Sequence, residues 1–180
     1  MSRAARALIA LPLALLAETT ALAAASDGRV TCEILENGKS ASGTIQVLHD
    51  GRELASGGCG KPIAVPEGDH EAVLGLDGAL DAPQQRQPLH VAGGDKPAKL
   101  VADFATGELE VHITSQGRDS AGMAVIRKND KQIGTLGSGV AAHLSTGTYA
   151  IVARYRSQEQ RFDTVQITKG QRTVLNATFE

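Results

Sequence analysis

The sequence predicts an all-β protein in which two tandem β-sandwich domains follow an N-terminal signal peptide. Apolar and polar residues alternate over short segments, as at Leu109, Val111 and Ile113 and again from Tyr149 to Tyr155, which indicates strands with one buried face. Such segments recur at spacings of about 8 to 12 residues between clusters of Gly, Asn, Asp and Ser, which favours two packed sheets. No segment after the N-terminal region keeps a helical apolar period over three turns.

The N-terminus has the order of segments that defines a secretory signal peptide. Two arginines precede an apolar run over residues 7–17, and small residues follow up to Ala25, as in the charged, apolar and cleavage-site regions of exported proteins. The run of about 11 residues contains Pro12 and is shorter than the about 20 residues of a spanning helix. We therefore predict a signal peptide over 1–25, cleaved after Ala23 or Ala25, and a periplasmic or extracellular mature chain without a membrane span.

The remaining sequence contains one pattern twice. Residues 34–76 align with 113–155 at an offset of 79 without a gap, and the shared positions are turn glycines and the apolar residues between them. Glycines and apolar residues in common register are typical of a duplicated β module. We predict a first β-sandwich repeat over 26–106 and a second over 107–180. The junction around Gly107 is only about three residues long, which leaves little room for independent movement of the repeats.

The segment Gly38-Lys39-Ser40 has the three residues that end a phosphate-binding P-loop. The required glycine five positions earlier is Glu33, and Ala41 onward alternates like a strand instead of a helix. The aligned residues in the second repeat, 117–119, read Gly-Arg-Asp. A P-loop needs its glycine-rich loop between a strand and a helix, so we interpret the segment as a turn and expect no nucleotide or other cofactor.

Two pairs of segments carry a resemblance to a known family. They are PEGDHEAVL and STGTYAIVA, followed by HVAGGDKPAKLVADF and QITKGQRTVLNATF. These segments resemble the carboxypeptidase regulatory-like, or prealbumin-like, repeats of secreted bacterial proteins, with His70 in the first copy where the second has Tyr149. The resemblance implies two Ig-like (prealbumin-like) β-sandwich domains that serve as non-catalytic modules for spacing, surface display or docking.

The two cysteines predict one structural disulfide. Cys32 and Cys59 both lie in the first repeat, and an exported protein meets an oxidising compartment in which such a pair joins. The bond would close a loop of about 28 residues and contribute about 3 to 4 kcal/mol in the chain-entropy model. A metal or redox site would need further ligands or a C-x-x-C spacing, and the sequence has neither.

The charge distribution argues against nucleic acid and anionic membranes as partners. Lys and Arg number 7 against 12 Asp and Glu in residues 26–106, and 9 against 7 in residues 107–180. Net charges of about −5 and +2 do not supply the dense positive field that nucleic-acid binding requires. Another envelope or extracellular protein is therefore the expected partner, with a small ligand as the alternative.

The polar residues show no recognisable catalytic or metal motif. The five histidines, at positions 49, 70, 90, 112 and 143, form no H-x-H or H-x-x-x-H pair, the spacings typical of zinc sites. Asp77, Asp81 and Asp95 lack the regular spacing of a calcium loop. A Ser/His/Asp set that meets only in space stays open, but no nucleophile motif is present, so we predict no enzyme activity and no bound metal.

One aromatic side chain breaks the core pattern. Strict alternation from Val165 and Ile167 turns Phe162 outward, onto the face that carries Arg154 and Arg156 of the neighbouring strand. An exposed Phe flanked by arginines has the composition of a protein-binding surface. The alternative is a β-bulge near residue 160 that returns the ring to the core.

The second candidate contact is a hairpin that only the first repeat has. The segment from Asp77 to Pro88 is an insertion relative to the second copy, and loop insertions often carry binding residues. Asp77, Asp81, Gln84 and Arg86 are the candidate contacts, with functionless loop variation as the alternative. The sequence thus predicts an exported, non-enzymatic structural or protein-docking module. The rival hypothesis is a small-ligand or glycan binder that uses this hairpin or the crease between the repeats.

Overall fold

The computed structural model describes residues 27–94 and 96–180, so the predicted signal peptide lies outside the described residues. Every regular element in this part of the chain is a β-strand. The first eight are β1 (Asp27–Glu36), β2 (Lys39–Ala41), β3 (Gly43–His49), β4 (Arg52–Gly58), β5 (Ile63–Pro66), β6 (Gly68–Leu76), β7 (Gln84–Val91) and β8 (Ala98–Phe104). The next eight are β9 (Thr106–Ser115), β10 (Arg118–Asp119), β11 (Met123–Lys128), β12 (Lys131–Gly137), β13 (Ala141–Ser145), β14 (Gly147–Tyr155), β15 (Gln158–Ile167) and β16 (Arg172–Phe179). The described residues contain no helix that could cross a membrane.

The strands form two β-sandwiches with the same topology, which confirms the predicted all-β fold class. In the first sandwich, one sheet has β1 between β8 on one side and β2 and β5 on the other, and the second sheet has the order β4-β3-β6-β7. In the second sandwich, β9 lies between β16 and the pair β10 and β13, and faces a sheet of order β12-β11-β14-β15. The first and last strands of each set, β1 with β8 and β9 with β16, pair in parallel.

Each sandwich has its own hydrophobic core between its two sheets. Inward-facing residues such as Ile45 and Leu74 fill the first core, and Leu109, Tyr149 and Ile151 fill the second. Outward-facing residues of the same strands are largely polar, because successive side chains of a strand point to opposite faces. Burying each large apolar side chain contributes about 1.5 to 3 kcal/mol, so each cluster stabilises the sandwich that contains it.

The duplication extends to backbone irregularities. The pairing of β3 with β4 shifts register after Val47, and that of β11 with β12 shifts after Ile126, the residue at an offset of 79. Asn37 and Gly38 both have positive φ, 55° and 81°, as the tight turn between two antiparallel strands requires. The Gly38-Lys39-Ser40 segment therefore lies in a β-hairpin, as its interpretation as a turn predicts.

Cys32 and Cys59 form a disulfide, as predicted. The bond ties β1 to the loop after β4 on the edge of the first core. The aligned residues in the second repeat are Val111 and Ser138, and there the Ser138 Oγ accepts a hydrogen bond of 2.9 Å from the Ile113 amide. The loop glycine of each repeat also donates to the aligned β-strand carbonyl, Cys32 O in one and Val111 O in the other. A hydrogen bond in the second repeat thus occupies the place of the disulfide in the first.

Candidate docking site

The hairpin that only the first repeat has lies against the second repeat. Its connection spans seven residues, 77–83, whereas the corresponding turn in the second repeat has two, 156–157. The Leu80 amide donates to the His143 carbonyl at 2.9 Å, and Ala79 forms a parallel bridge with the same residue. The Leu80 side chain packs on the hydrophobic core of the second sandwich. The insertion therefore closes the open side of the second sandwich between β12 and β13.

Asp81 is the polar centre of this contact. Its side chain is only 6% exposed, and its Oδ1 accepts a 3.0 Å hydrogen bond from the Ser145 amide. The Tyr149 hydroxyl lies 2.9 Å and the Lys128 Nζ 3.3 Å from Oδ2. A buried carboxylate is stable only when it is paired and hydrogen-bonded, and these three partners of Asp81 all belong to the second repeat.

These contacts shift the pKa values of both partners. Burial raises the pKa of the Asp81 carboxyl, but the hydrogen bonds from Ser145 and Tyr149 and the charge of Lys128 outweigh this, so the net pKa is lowered. Burial and the neighbouring Asp81 carboxylate raise the pKa of the Tyr149 hydroxyl well above its usual range. At neutral pH the pair is therefore an ionised carboxylate and a neutral phenol, the states in which the phenol can donate to the carboxylate.

A second set of polar contacts joins the β1–β2 turn of the first sandwich to β9 and β13 of the second, where β9 begins at Thr106, the last residue of the predicted first repeat. Asn37 Oδ1 accepts from the Thr106 amide at 3.0 Å, and Asn37 Nδ2 donates to the Thr106 carbonyl at 3.0 Å. The Thr106 hydroxyl donates to Glu36 Oε1, which also lies 2.7 Å from Nδ1 of His143. Burial raises the pKa of Glu36, but the hydrogen bonds from Thr106 and His143 and the charge of His143 lower it by more, so its net pKa is lowered.

A shallow groove lies beside this second contact. Its volume is about 250 Å³, and its lining includes Asn37, Thr106, Glu108, His143, Gln171 and Arg172. Arg172 is already engaged, because its Nε lies 3.0 Å from Glu108 and its Nη2 pairs with Glu110. The lining mixes acceptors and donors without an aromatic platform, so it suits a small polar molecule better than a sugar ring that stacks on an aromatic side chain.

Phe162 does not face outward as strict alternation predicts. It is partly buried and packs against the second hydrophobic core. The pairing of β14 with β15 runs from Tyr149 opposite Val165 to Ile151 opposite Phe162, so Asp163 and Thr164 face one residue. This bulge reverses the alternation and turns the ring inward. The alternative, a bulge that returns the ring to the core, is therefore correct. The bulge begins at Asp163, three residues after residue 160.

Arg154 and Arg156 are exposed but do not form one surface with the Phe162 ring. Arg154 projects from β14 and pairs with Glu159 at 2.8 Å. Arg156 lies in the turn after β14 with a φ of 53°, and its guanidinium lies 5.1 Å from the centre of the Tyr155 ring. Binding of a partner by these two arginines stays a prediction. Phe162, the aromatic residue of that predicted surface, packs against the core instead.

The four candidate residues of the hairpin occupy three different environments. Asp77 is exposed in the connection, and Asp81 is buried against the second repeat. Gln84 and Arg86 lie on β7 instead of in the loop, and Arg86 pairs with Glu71 at 2.6 Å. The contact that the structure shows for this hairpin is internal and centres on Asp81. Binding of an outside partner by the remaining three residues stays a prediction.

Side-chain amides cover one edge of each sandwich. Gln85 and Gln87 on β7 donate across the gap between the sheets to the carbonyls of Asp103 and Val101 on β8, at 2.8 and 2.9 Å. In the second repeat, the Gln160 Oε1 accepts from the Thr178 amide of β16 at 3.0 Å. Unpaired backbone N–H and C=O groups on an edge strand can form hydrogen bonds with a strand of another chain. These glutamines reduce that tendency on the β7–β8 and β15–β16 sides.

The histidines each have a partner that fits a structural role. His112 Nε2 lies 2.8 Å from Glu110, His90 Nδ1 lies 2.7 Å from Asp69, and His143 pairs with Glu36. His112 and His143 lie on the outer faces of their strands, as predicted. Within residues 27–94 and 96–180, no group of three or more His, Cys, Asp or Glu side chains could hold a metal ion. Asp95, one of the calcium candidates, lies outside the described residues.

Two serine hydroxyls beside His112 are also engaged. Ser138 Oγ accepts from the Ile113 amide, and Ser120 Oγ donates to the Arg118 carbonyl. They line a surface groove together with His112 and Asp119, which brings the residue types of a catalytic triad to one place. The contact given for the His112 imidazole is with Glu110, whereas a triad also requires the imidazole to contact the nucleophile, and both serine hydroxyls bond to backbone groups instead.

Comparisons with known proteins identify no family for this chain. No family model matches the sequence, and no curated protein matches it significantly. The Bacillus anthracis TIE protein is 11% identical over 86% of this chain and 34% of its own, with a TM-score of 0.41. This chain therefore spans about a third of that protein's length.

Two further solved structures are adhesin candidates from Bacteroides species. The one from Bacteroides ovatus is 6% identical over 84% of this chain and 87% of its own, with a TM-score of 0.44. The one from Bacteroides thetaiotaomicron is 8% identical over 87% of this chain and 93% of its own, also with a TM-score of 0.44. At these identities and TM-scores the likeness carries no inference about what this chain binds.

Proposed function

We propose that this chain is an exported, non-enzymatic docking module whose two β-sandwiches are held in a fixed relation to each other. The observation that carries the proposal is Asp81, which lies on the first repeat and is buried among three donors of the second. A binding protein gains affinity when its contact surfaces are held in place before association. Two sandwiches connected in this way present the surfaces of both repeats at a constant spacing.

Export is part of the proposal, and it is supported by two features. The N-terminal residues have the segment order of a signal peptide. The only two cysteines are joined in a disulfide, which is a feature of proteins in oxidising compartments. The resemblance to carboxypeptidase regulatory-like repeats agrees with this location and with a non-catalytic role.

The direct test is a crosslinking pull-down with the mature chain, residues 26–180, as bait in native secreted and envelope fractions. Arg156→Ala is the variant for the predicted partner surface, and Arg118→Ala, at an exposed arginine elsewhere on the second repeat, is the matched control. Asp81→Asn tests whether the fixed relation of the repeats matters. We expect a specific protein partner whose capture Arg156→Ala and Asp81→Asn weaken and Arg118→Ala leaves unchanged. If neither the parent chain nor any variant retains a protein, the docking proposal is wrong.

A second candidate function is binding of a small polar ligand in the groove between the repeats. The observation in its favour is the convergence of Asn37, His143 and Gln171 on a space of about 250 Å³. A ligand that binds only the native state raises the melting temperature, and the rise increases with the ratio of ligand concentration to Kd. A thermal-shift screen of sugars and small metabolites, repeated with Gln171→Ala, therefore distinguishes this candidate from docking, because a docking module would show no stabilisation by soluble compounds.

A further inference from the structure

The turn between β1 and β2 places a chemically reactive pair of residues at the contact between the sandwiches. Asn37 and Gly38 form this turn, with Glu36 opposite Lys39 at its base. Glycine has no side chain, so its backbone nitrogen can approach the carboxamide of a preceding asparagine closely. That nitrogen can then attack the carboxamide carbon, close a five-membered ring and expel ammonia. Asn37 is the only asparagine of the chain that precedes a glycine.

We propose that Asn37 is a modification site, at which the carboxamide hydrolyses to a carboxylate when the two sandwiches move apart, and that the product keeps them from closing in the same way again. The inference rests on the fixed relation of the sandwiches that the proposed function includes, and it requires no partner.

The reaction needs only water as a second reactant. Gly38 N loses its proton to solvent and bonds to Cγ of Asn37, while the Cγ–Nδ2 bond breaks and Nδ2 leaves as ammonia. Water then opens the resulting imide ring at one of its two carbonyl carbons, which gives aspartate or isoaspartate. In sum, one water molecule is consumed and one ammonia molecule is released, and nothing is oxidised or reduced.

In the closed arrangement, one residue holds the Asn37 carboxamide at both ends. Oδ1 accepts from the Thr106 amide at 3.0 Å, and Nδ2 donates to the Thr106 carbonyl at 3.0 Å and to the Thr106 hydroxyl oxygen at 3.1 Å. Since the amide can only donate and the carbonyl can only accept, the orientation of the carboxamide is determined. Attack makes Cγ tetrahedral and expels Nδ2, so it must break these hydrogen bonds.

The attacking nitrogen is engaged as well. Gly38 N donates to Asp103 Oδ1 at 3.0 Å, and the other oxygen of this carboxylate lies 4.0 Å from Lys169 Nζ. A hydrogen bond to a carboxylate is charge-assisted and favours the nitrogen that keeps its proton, whereas the attack needs the nitrogen without it. The closed arrangement therefore protects Asn37 at both reacting atoms.

His143 connects the protected turn to the inserted hairpin. Its Nδ1 lies 2.7 Å from Glu36 Oε1, which also accepts from the Thr106 hydroxyl. Its carbonyl accepts from the Leu80 amide at 2.9 Å. Loss of the hairpin contact therefore loosens the residues next to Asn37. We expect the reaction to proceed from the fraction of molecules in which this contact is open, as amide exchange does through local opening.

The product does not fit the closed arrangement. A carboxylate oxygen in the place of Nδ2 would face the carbonyl and hydroxyl oxygens of Thr106, and an acceptor opposite two acceptors forms no hydrogen bond. The hydroxyl cannot supply a hydrogen without leaving Glu36, whose carboxylate adds a second negative charge nearby. Isoaspartate would also lengthen the backbone of a turn in which Asn37 and Gly38 both have positive φ.

The second repeat has the same turn with a less reactive residue. Gln116 and Gly117 connect β9 to β10 with φ of 51° and 73°. The Gln116 amide donates to the Phe179 carbonyl, as the Asn37 amide does to the Phe104 carbonyl. Attack on glutamine closes a six-membered ring and must fix one more side-chain torsion, which slows it. The exposed Gln116 is therefore an internal control.

Peptide mapping by mass spectrometry, after incubation of the folded mature chain in mildly alkaline buffer, measures the conversion. We expect Asn37 to convert at least about tenfold more slowly in the chain than in the free peptide LENGKSA, because only the open fraction reacts. The peptide that contains Gln116 should stay unchanged.

Four variants test which contacts protect Asn37. Asp103→Ala releases the Gly38 amide, and the double change Leu80→Ala with Asp81→Ala weakens the hairpin contact. Each should raise the rate at least about threefold toward that of the peptide. Lys169→Ala removes only the distant ion pair of Asp103, and Asp77→Ala alters an exposed residue of the hairpin. Both controls should leave the rate unchanged.

Asn37→Asp tests the effect of the product. It should lower the melting temperature by about 2 to 6 °C and speed hydrogen exchange of the Thr106 amide, whereas Gln116→Glu, the same change in the aligned turn, should do neither. The inference is overturned if the chain converts as fast as the peptide, if Asp103→Ala slows the reaction, if the double change leaves the rate unaltered, or if Asn37→Asp is as stable as the parent chain. None of these results depends on capture of a partner, so failure of the docking proposal is a separate outcome.

Discussion

A methyl group on Gly134 of the second repeat would lie 2.7 Å from Cγ of Leu80, which belongs to the first repeat. The leucine thus packs directly over the glycine backbone and reaches the core of the neighbouring sandwich. The relationship joins two features that distinguish the repeats, an inserted hairpin in one and a glycine in place of Ala55 in the other. The contact needs both features, because Leu80 occupies the space in which a side chain at position 134 would lie.

Gly134→Ala should therefore weaken the contact between the repeats. We expect a loss of about 1 to 3 kcal/mol in the free energy of unfolding, the range for overpacking a close contact. Leu80→Ala should also destabilise the chain by leaving a gap. In the double variant the two losses should not add, because the smaller side chain makes room for the new methyl group. Urea denaturation of the four proteins measures the coupling, and strictly additive losses would show that the contact does not form.

Asp81→Ala should destabilise the chain by about 2 kcal/mol, because it leaves the Ser145 amide without its acceptor and removes the partner of Lys128. Asp77→Ala, an exposed change four residues earlier, should stay within about 0.5 kcal/mol of the parent chain. Hydrogen exchange gives a local measurement, since the Ser145 amide should exchange faster in the first variant only. Equal effects of both substitutions would mean that Asp81 does not hold the repeats together.

The stabilisation from Asp81 should depend on pH in a defined direction. Because the folded pKa of its carboxyl is lowered, its contribution is fully present above the unfolded value near about 4 and is lost as the pH falls through the folded value. The difference in unfolding free energy between the parent chain and Asp81→Asn should therefore shrink below about pH 4. Glu36→Gln should behave similarly, since the pKa of Glu36 is also lowered. A difference that persists unchanged to about pH 2 would contradict both assignments.

The features that sequence reasoning predicted are those encoded locally. Alternation and turn glycines located the strands, the repeat located their duplicates, and two cysteines in a chain predicted to be exported indicated the disulfide. The inward orientation of the Phe162 ring was harder to predict. A bulge at Asp163 and Thr164 reverses the alternation of inward and outward side chains, and no glycine or proline marks it in the sequence. Strict alternation is reliable only where the pairing register is continuous.

The role of the hairpin could not be predicted, because it depends on contacts between residues far apart in the chain. Asp81 and Tyr149 are 68 positions apart, and a lone aspartate in a polar loop gives no indication of burial. One signal was present. The insertion in one repeat coincides with the change from Ala55 to Gly134 in the other, a paired difference that an alignment of the two repeats exposes.

Phe162→Ala should distinguish a core residue from a surface residue. Because the ring packs against the second core, we expect a loss of about 1 to 3 kcal/mol, less than for a fully buried phenylalanine. Arg154→Ala on the exposed face of the adjacent strand should cost less than about 0.5 kcal/mol, since exposed ion pairs contribute little. Thermal unfolding of both variants makes the comparison, and a neutral Phe162→Ala would restore the prediction of an outward-facing ring.

The disulfide should stabilise the first repeat alone. Cys32→Val with Cys59→Ser reproduces the aligned pair Val111 and Ser138, in which a hydroxyl accepts a hydrogen bond from a backbone amide. The variant loses the constraint of the bond on the unfolded chain, about 3 to 4 kcal/mol for a loop of this length, and regains at most about 1 kcal/mol if the new serine makes the equivalent hydrogen bond. Amide hydrogen exchange measures the stability of each sandwich separately. We expect lower protection of the amides in β1, β3 and β6. The protection of the amides in β9, β11 and β14 should change little. Equal loss in both sandwiches would show that they unfold as one cooperative unit through the Asp81 contact.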